Sequence, residues 1–278
     1  LAAGELALGV TGGAAIFART AEALGLANPL RPLAPGEAIG ETREACLIEV
    51  GSGNDAVATG EVSAAAGKLA YDAIDRAVRL AMDGAVDAIC TAPINKDALN
   101  RAGHHYSGHT ELLADLTGAA DSVMMLAHGD MRVSHVSTHT ALRKVYERLT
   151  PERLRRVVLL TAGALRQLGI QRPRIAVAAL NPHAGEGGLF GREDIDISAP
   201  TIAALVAEGH DVTGPVPGDT VFVRLRAGQY DAVVAMYHDQ GHIPVKLLGF
   251  SVDAATGKWN ALSGVNITGG GLNVAAHG

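Results

Sequence analysis

The clearest periodicity in the chain runs over residues 63–82, where Ala66, Leu69, Ala70, Ala73, Ile74, Ala77, Val78 and Ala81 fall on one stripe and predict an amphipathic helix. Its small, Ala-rich face suits close packing on a sheet or on another helix. Weaker helical spacing marks 14–26, 96–102, 108–116, 142–149, 152–168 behind Pro151, and 199–208. Short apolar runs bounded by polar residues and glycine predict strands at 47–50, 86–91, 122–126, 132–138, 174–180 and 232–236. The turn-prone His128-Gly129-Asp130 joins two of these as a hairpin, so the alternating pattern predicts an α/β fold with a mixed sheet. Gly241 and Pro244 argue against a helix after the last run.

The polar residues that follow these runs carry the chemistry. The run at 232–236 leads into Tyr237-His238-Asp239-Gln240-Gly241-His242, the run at 132–138 into His139, and the run at 174–180 into Asn181-Pro182-His183-Ala184-Gly185-Glu186-Gly187-Gly188. Three strands thus end at a histidine. If they lie near one another with the same sense, His139, His183 and His238 converge at one rim, and three imidazoles with open positions suit a catalytic divalent metal. His242, four residues beyond His238, ranks below them as a ligand. Gly108-His109-Thr110-Glu111 opens a helix and presents donors at its positive end, while Gly214-Pro215 and Val216-Pro217-Gly218 form a rigid turn that delivers Asp219.

Composition narrows the class. The 278 residues are 48% hydrophobic and only 4% aromatic, with 34 Gly, so the core is aliphatic and Ala-based. A net charge of −6 without a basic cluster excludes a nucleic-acid partner. Two cysteines far apart predict no disulfide framework and fit a reducing cytoplasm. No apolar stretch reaches the length of a membrane span, and no signal-peptide order opens the chain.

Thr91-Ala92-Pro93-Ile94-Asn95-Lys96, Gly108-His109-Thr110-Glu111, Ser137-Thr138-His139, the 181–188 stretch, Asp219-Thr220, 236–241 and Val265-Asn266-Ile267-Thr268 together resemble the 4-hydroxythreonine-4-phosphate dehydrogenase family. The resemblance implies two-lobed α/β/α subunits, similar to isocitrate and isopropylmalate dehydrogenases, paired as a homodimer. It places residues 1–100, completed by 245–278, in a first lobe and 101–244 in a second that carries most of the metal ligands. It implies a divalent ion (Zn, Mg, Mn or Co) on His139, His183 and His238, and substrate contacts from His109, Thr110, Asp219, Lys246 and Asn266. The implied reaction is NAD- or NADP-linked oxidation of the alcohol of 4-phosphohydroxy-L-threonine with decarboxylation, Lys246 or Asp219 carrying the proton. After Asn266, however, the chain reads Gly269-Gly270-Gly271-Leu272-Asn273-Val274-Ala275-Ala276, with no Arg where the family grips a phosphate, and 251–263 is an insert holding Trp259. The missing Arg counts against a phosphorylated substrate, since an anion loses strong charge-assisted bonds without the guanidinium fork, and the insert resembles paralogues acting on phospho-threonate, phospho-erythronate or a dihydrodiol. A three-histidine metal hydrolase and a metabolite binder without turnover are the readings from other classes.

Overall fold

The computed structural model describes residues 6–41, 44–51, 57–106, 108–119, 122–249, 251–258, 265–270 and 273–277, the last two stretches as backbone. Trp259 and the side chain of Asn266 lie outside the described residues. The chain divides into two compact units, Leu1–Ala120 and Asp121–Gly278.

In the first unit, β1 (Gly9–Gly12), β2 (Arg31–Pro32) and β3 (Cys46–Glu49) form a small parallel sheet in the order β1-β3-β2. Helix α1 (Ala14–Ala23) follows β1, and β4 (Ile89–Thr91) precedes α3 (Lys96–Arg101) and α4 (His109–Thr117). The long helix α2 (Ala64–Met82) matches the strongest periodicity in the sequence. Ser63 caps it, its Oγ accepting from the Ala66 amide at 3.2 Å, and Ile74 and Val78 are buried on its inner face. Asn95 caps α3 in the same way, its Oδ1 accepting from the Ala98 amide at 2.9 Å. Helices α2 and α3 touch at Gly67, where a Cβ would run into the Ala98 carbonyl.

The second unit is a three-layer α/β/α sandwich. Its strands are β5 (Val123–His128), β6 (Met131–His135), β7 (Ile175–Ala178), β8 (Val212–Val216), β9 (Ala232–Ala235), β10 (Val265–Gly270) and β11 (Asn273–His277). They lie in the order β11-β10-β5-β6-β9-β7-β8. The pairs from β11 to β6 are antiparallel and those from β6 to β8 parallel, so the sheet is mixed, with the predicted hairpin at β5 and β6. Every residue of β7 and β9 is buried, as expected of strands covered on both faces. Alternate residues feed two cores. Ile175, Val177, Ala232 and Val234 pack under α6 (Pro151–Gln167) and α7 (Ala199–Ala207). Ala176, Ala178, Val233 and Ala235 face Val221, Leu225 and Val245 of α8 (Gly218–Arg226) and α9 (His238–Gly249). The remaining short helix, α5 (Val145–Arg148), prolongs a 3-10 turn and lies in the predicted 142–149 segment.

Strand β10 pairs with β5 inside the second unit. One expectation differs from what is observed. Residues 238–249, read as non-helical, form α9 with Pro244 inside it. The lost backbone bond is offset by anchoring. Gln240 Oε1 accepts from the Met236 amide at 2.6 Å, its Nε2 donates to the Ala179 carbonyl at 2.8 Å, and Val245 is fully buried. Among the described residues no helix is long and apolar enough to cross a membrane.

The α2–α3 contact yields a test. Gly67→Ala should cost about 1–3 kcal/mol of stability by overpacking, read as a lower denaturant midpoint with an unchanged slope.

Candidate active site

Strands β6, β9, β7 and β8 run parallel, so their carboxyl ends share one rim, the edge at which open α/β sheets bind ligands. Polar residues concentrate there. Ser137-Thr138-His139 follows β6, Tyr237-His238-Asp239 follows β9, residues 181–188 follow β7, and Asp219 stands in the first turn of α8 after β8. The shared sense expected of the three histidine-tipped strands is present.

Backbone bonding carries His139 toward His238. Past β6, the Val136 amide donates to the Ala235 carbonyl at 2.8 Å, and both the amide and the hydroxyl of Ser137 donate to Met236 O, at 3.2 and 2.9 Å. The His139 and His238 rings then lie 6.2 Å apart, centre to centre, tilted by 37°. His238 Nδ1 meets Asp239 Oδ1 at 2.6 Å; a carboxylate only accepts, so Nδ1 carries a proton, and in the neutral imidazole Nε2 then keeps its lone pair. A carboxylate behind an imidazole is the usual support of a metal-binding histidine. The two imidazoles thus come to the same place on the rim. A third imidazole would come from His183, at the exit of neighbouring β7; its ring lies 6.5 Å from Phe190. Among the described residues no three His, Cys, Asp or Glu side chains are grouped closely enough to hold an ion.

His183 sits in an unusual turn. Residues 183–187 all have positive φ (52, 54, 86, 44 and 64°), a left-handed conformation that costs non-glycine residues roughly 1–2 kcal/mol each. Such strain persists only where the surroundings impose it. Asp194 does so: fully buried, it accepts from the Leu180 and Asn181 amides, both at 2.8 Å, while Asn181 Nδ2 donates to Glu193 at 2.7 Å. A Cβ at Gly185 would crowd the Gly191 carbonyl at 2.6 Å, so the turn closes on itself there.

Two residues ranked low or overlooked in the sequence prove central to the packing. His135 on β6 and His242 on α9 are both buried and meet at 3.1 Å, Nε2 to Nδ1. His242 also stacks on His238, with ring centres 3.7 Å apart and planes within 13°. Burial, helped by repulsion from His242, pushes His135 down to about 3. Burial and the neighbouring His238 push His242 down to about 4. The i, i+4 spacing of His238 and His242 was the available signal, and it becomes visible only once α9 is helical. For Asp194 and His135 the sequence held no signal.

The other expected site residues are placed as follows. Lys246 is on α9, exposed, two helical steps of four beyond His238. Asp219 is exposed on α8, whose first turn approaches α9 closely, since a Cβ at Gly218 would lie 3.2 Å from Gln240 Nε2. In the first unit, His109 and Thr110 form the first turn of α4; burial lowers the His109 imidazole against a raising bond to Ala92. Asn266 is in β10, paired with Leu126 of β5.

Comparison with known proteins decides the family. Residues 8–276 match the family described as pyridoxal phosphate biosynthetic protein PdxA. This chain belongs to the PdxA family. A Bradyrhizobium diazoefficiens protein, provisionally named D-threonate 4-phosphate dehydrogenase, is 60% identical over 96% of this chain and 77% of its own length. The D-threonate 4-phosphate dehydrogenase of Pectobacterium atrosepticum is 53% identical over 77% of this chain but only 63% of its own length. Among solved structures, 4-hydroxythreonine-4-phosphate dehydrogenase from Klebsiella pneumoniae superposes with a TM-score of 0.86 at 45% identity, covering 100% of this chain and 82% of its own. The α/β class read from the sequence is therefore that of the PdxA structures.

Two outcomes test the site's supports. Asp194→Ala leaves two half-buried amides without their acceptor and should cost roughly 2–5 kcal/mol in a denaturant melt. The second concerns pH. His135 titrates near 6.5 in the unfolded chain and near 3 in the fold, so between those values the unfolded state binds the extra proton. Stability should fall as pH drops from about 6.5 toward 3, and His135→Gln should flatten that slope in melting temperatures measured between pH 7 and 4.

Proposed function

We propose that the chain catalyses the NAD- or NADP-linked oxidation of a secondary alcohol in a phosphorylated four-carbon hydroxy acid, 4-phospho-D-threonate above 4-phosphohydroxy-L-threonine, with loss of the carboxylate as CO2. The observation that carries the reading is the facing pair His139 and His238 on the adjacent strand ends of β6 and β9. The threonate name of the two sequence relatives, at 60 and 53% identity, supports the choice of acid.

In this reading His139, His183 and His238 would hold a divalent ion. When bound, the ion supplies positive charge against the substrate oxygen as it loses its proton and later bears the enolate charge. The chain's own groups do the rest. Asp239 keeps the proton of His238 on Nδ1 and so leaves Nε2 free to ligate. Asp219, at the start of α8, and Lys246, on α9, are the groups assigned to accept and return the substrate proton. His109 and Thr110, at the positive end of α4, are assigned to an anionic group of the substrate, as is Asn266. Oxidation beta to a carboxylate gives a β-keto acid, whose carboxylate leaves readily because the departing electron pair enters the ketone as an enolate. The protein works in this reading as a homodimer.

NADH formation should be assayed on 4-phospho-D-threonate, 4-phosphohydroxy-L-threonine, an unphosphorylated threonate and a dihydrodiol, each with and without chelator. Chelator-sensitive turnover that is highest on phospho-threonate, and lowered at least 100-fold by His238→Ala, is the expected result. Turnover that ignores chelator would remove the metal from the reading, and silence on all four would remove the dehydrogenase.

A further inference from the structure

A core offers no ready reason to bury two imidazoles where leucines would pack, since each buried polar nitrogen must find a partner. His135 and His242 do find partners, in one continuous chain. His135 Nδ1 faces the Met124 carbonyl at 3.4 Å, His135 Nε2 faces His242 Nδ1 at 3.1 Å, and the same His242 nitrogen lies 2.9 Å from the His238 carbonyl. The carbonyls fix the protons. Met124 O only accepts, so His135 carries its proton on Nδ1 and offers Nε2 as a bare acceptor. His242 Nδ1 faces that acceptor and the His238 carbonyl, so the His242 proton is on Nδ1 and is shared between them.

The contact is built into the backbone. Gly241 lies against His135, and a Cβ there would collide with its imidazole and hold Val133 Cγ1 at 2.8 Å, so α9 can descend onto β6 only with glycine at this place. That descent stacks the buried His242 ring on His238, with ring centres 3.7 Å apart. His238 is thus held by Asp239 at its edge, by its own carbonyl's bond to His242, and by a ring stacked against its face.

We propose that His135 and His242 are a positioning pair for His238: the hydrogen-bond chain from Met124 fixes the tautomer and plane of His242, and the stacked His242 ring fixes the plane in which His238 presents Nε2. Neither residue touches the reacting atoms. The proposal rests on the metal-site reading above for its consequence, but not for its geometry.

The experiment has two arms. In the first, metal-free wild-type protein labelled with nitrogen-15 is examined by long-range imidazole NMR at neutral pH. His135 and His242 should both appear as Nδ1–H tautomers, and an Nε2–H tautomer at His242 would overturn the proposal. In the second, Co2+ alone is titrated against a chromophoric chelator with wild type, His135→Leu, His242→Phe and His135→Gln, folding being checked by circular dichroism. His242→Phe keeps a ring but loses the bonds, and His135→Leu removes the acceptor. Both should weaken Co2+ binding by roughly 10- to 100-fold and alter its visible spectrum, as supporting partners of ligating histidines do. His135→Gln restores an acceptor and should stay within about threefold of wild type. Folded variants with unchanged affinity would overturn the proposal, and if His135→Leu does not fold, His242→Phe and the tautomer decide. Failure of the wild type to bind Co2+ would sink the metal reading, while the tautomers would still judge the pair.

Discussion

The descent of α9 onto β6 at Gly241 is the constraint on which the rest of the rim depends. It requires a residue without a side chain, a partner on β6 flat enough to lie beneath a helix, and a helix that starts immediately at the strand end. The chain meets all three with Gly241, His135 and His238. The cost is visible in Pro244, which removes a helical bond, and in two imidazoles taken out of water. The compensation comes from Gln240, whose one side chain closes the Met236 amide and the Ala179 carbonyl and so ties β9, β7 and the first turn of α9 together. Moving α9 outward by even the thickness of a methyl group would break the His135–His242 contact and loosen that tie in the same motion.

A second constraint acts on β7's exit. The run of left-handed residues at 183–187 could not hold on local preference, because three of its five members carry a Cβ. It holds because Asp194 occupies the two amides that the end of β7 leaves unpaired. A charged acceptor in a dry place makes stronger bonds than a neutral one, at the expense of its own desolvation. The rim therefore combines a helix start pinned at one strand and a strained turn pinned at its neighbour. Backbone held in this way fixes where the following histidines leave the rim, which favours a precise ligand or substrate geometry.

Much of this was legible in the chain. The 63–82 stripe became α2 within a residue at each end, the His128-Gly129-Asp130 turn became the β5–β6 hairpin, and the buried runs became β7 and β9. The premise that three strands ending in histidine share one sense also holds, because it needed only strand identity and a parallel sheet. What stayed hidden depends on contacts between distant residues. The 212–216 strand contains Gly214 and Pro215, which local reading assigns to a turn, and only pairing with β7 makes it β8. The helix at 238–249 violates local propensity and exists through Gln240 and Val245. His135 looked like one position of a half-buried strand, and nothing near it in sequence announces its partner 107 residues away.

The division between what is retained and what departs from the family also has a physical shape. The three histidine-bearing strand ends belong to the parallel half of the second sheet, whose strands β7 and β9 are buried on both faces. The segment after Asn266, where the Arg is missing, belongs to the antiparallel half, in β10 and β11 beyond β5. None of the ties described at β6, β7 or β9 involves β10 or β11, so a change of sequence there leaves those bonds intact. In the proposed reading, reaction class rests on these hydrogen-bonded strand ends, and the choice of substrate tail on the segment after Asn266. A change of acid within one oxidation chemistry is the kind of divergence such a layout permits.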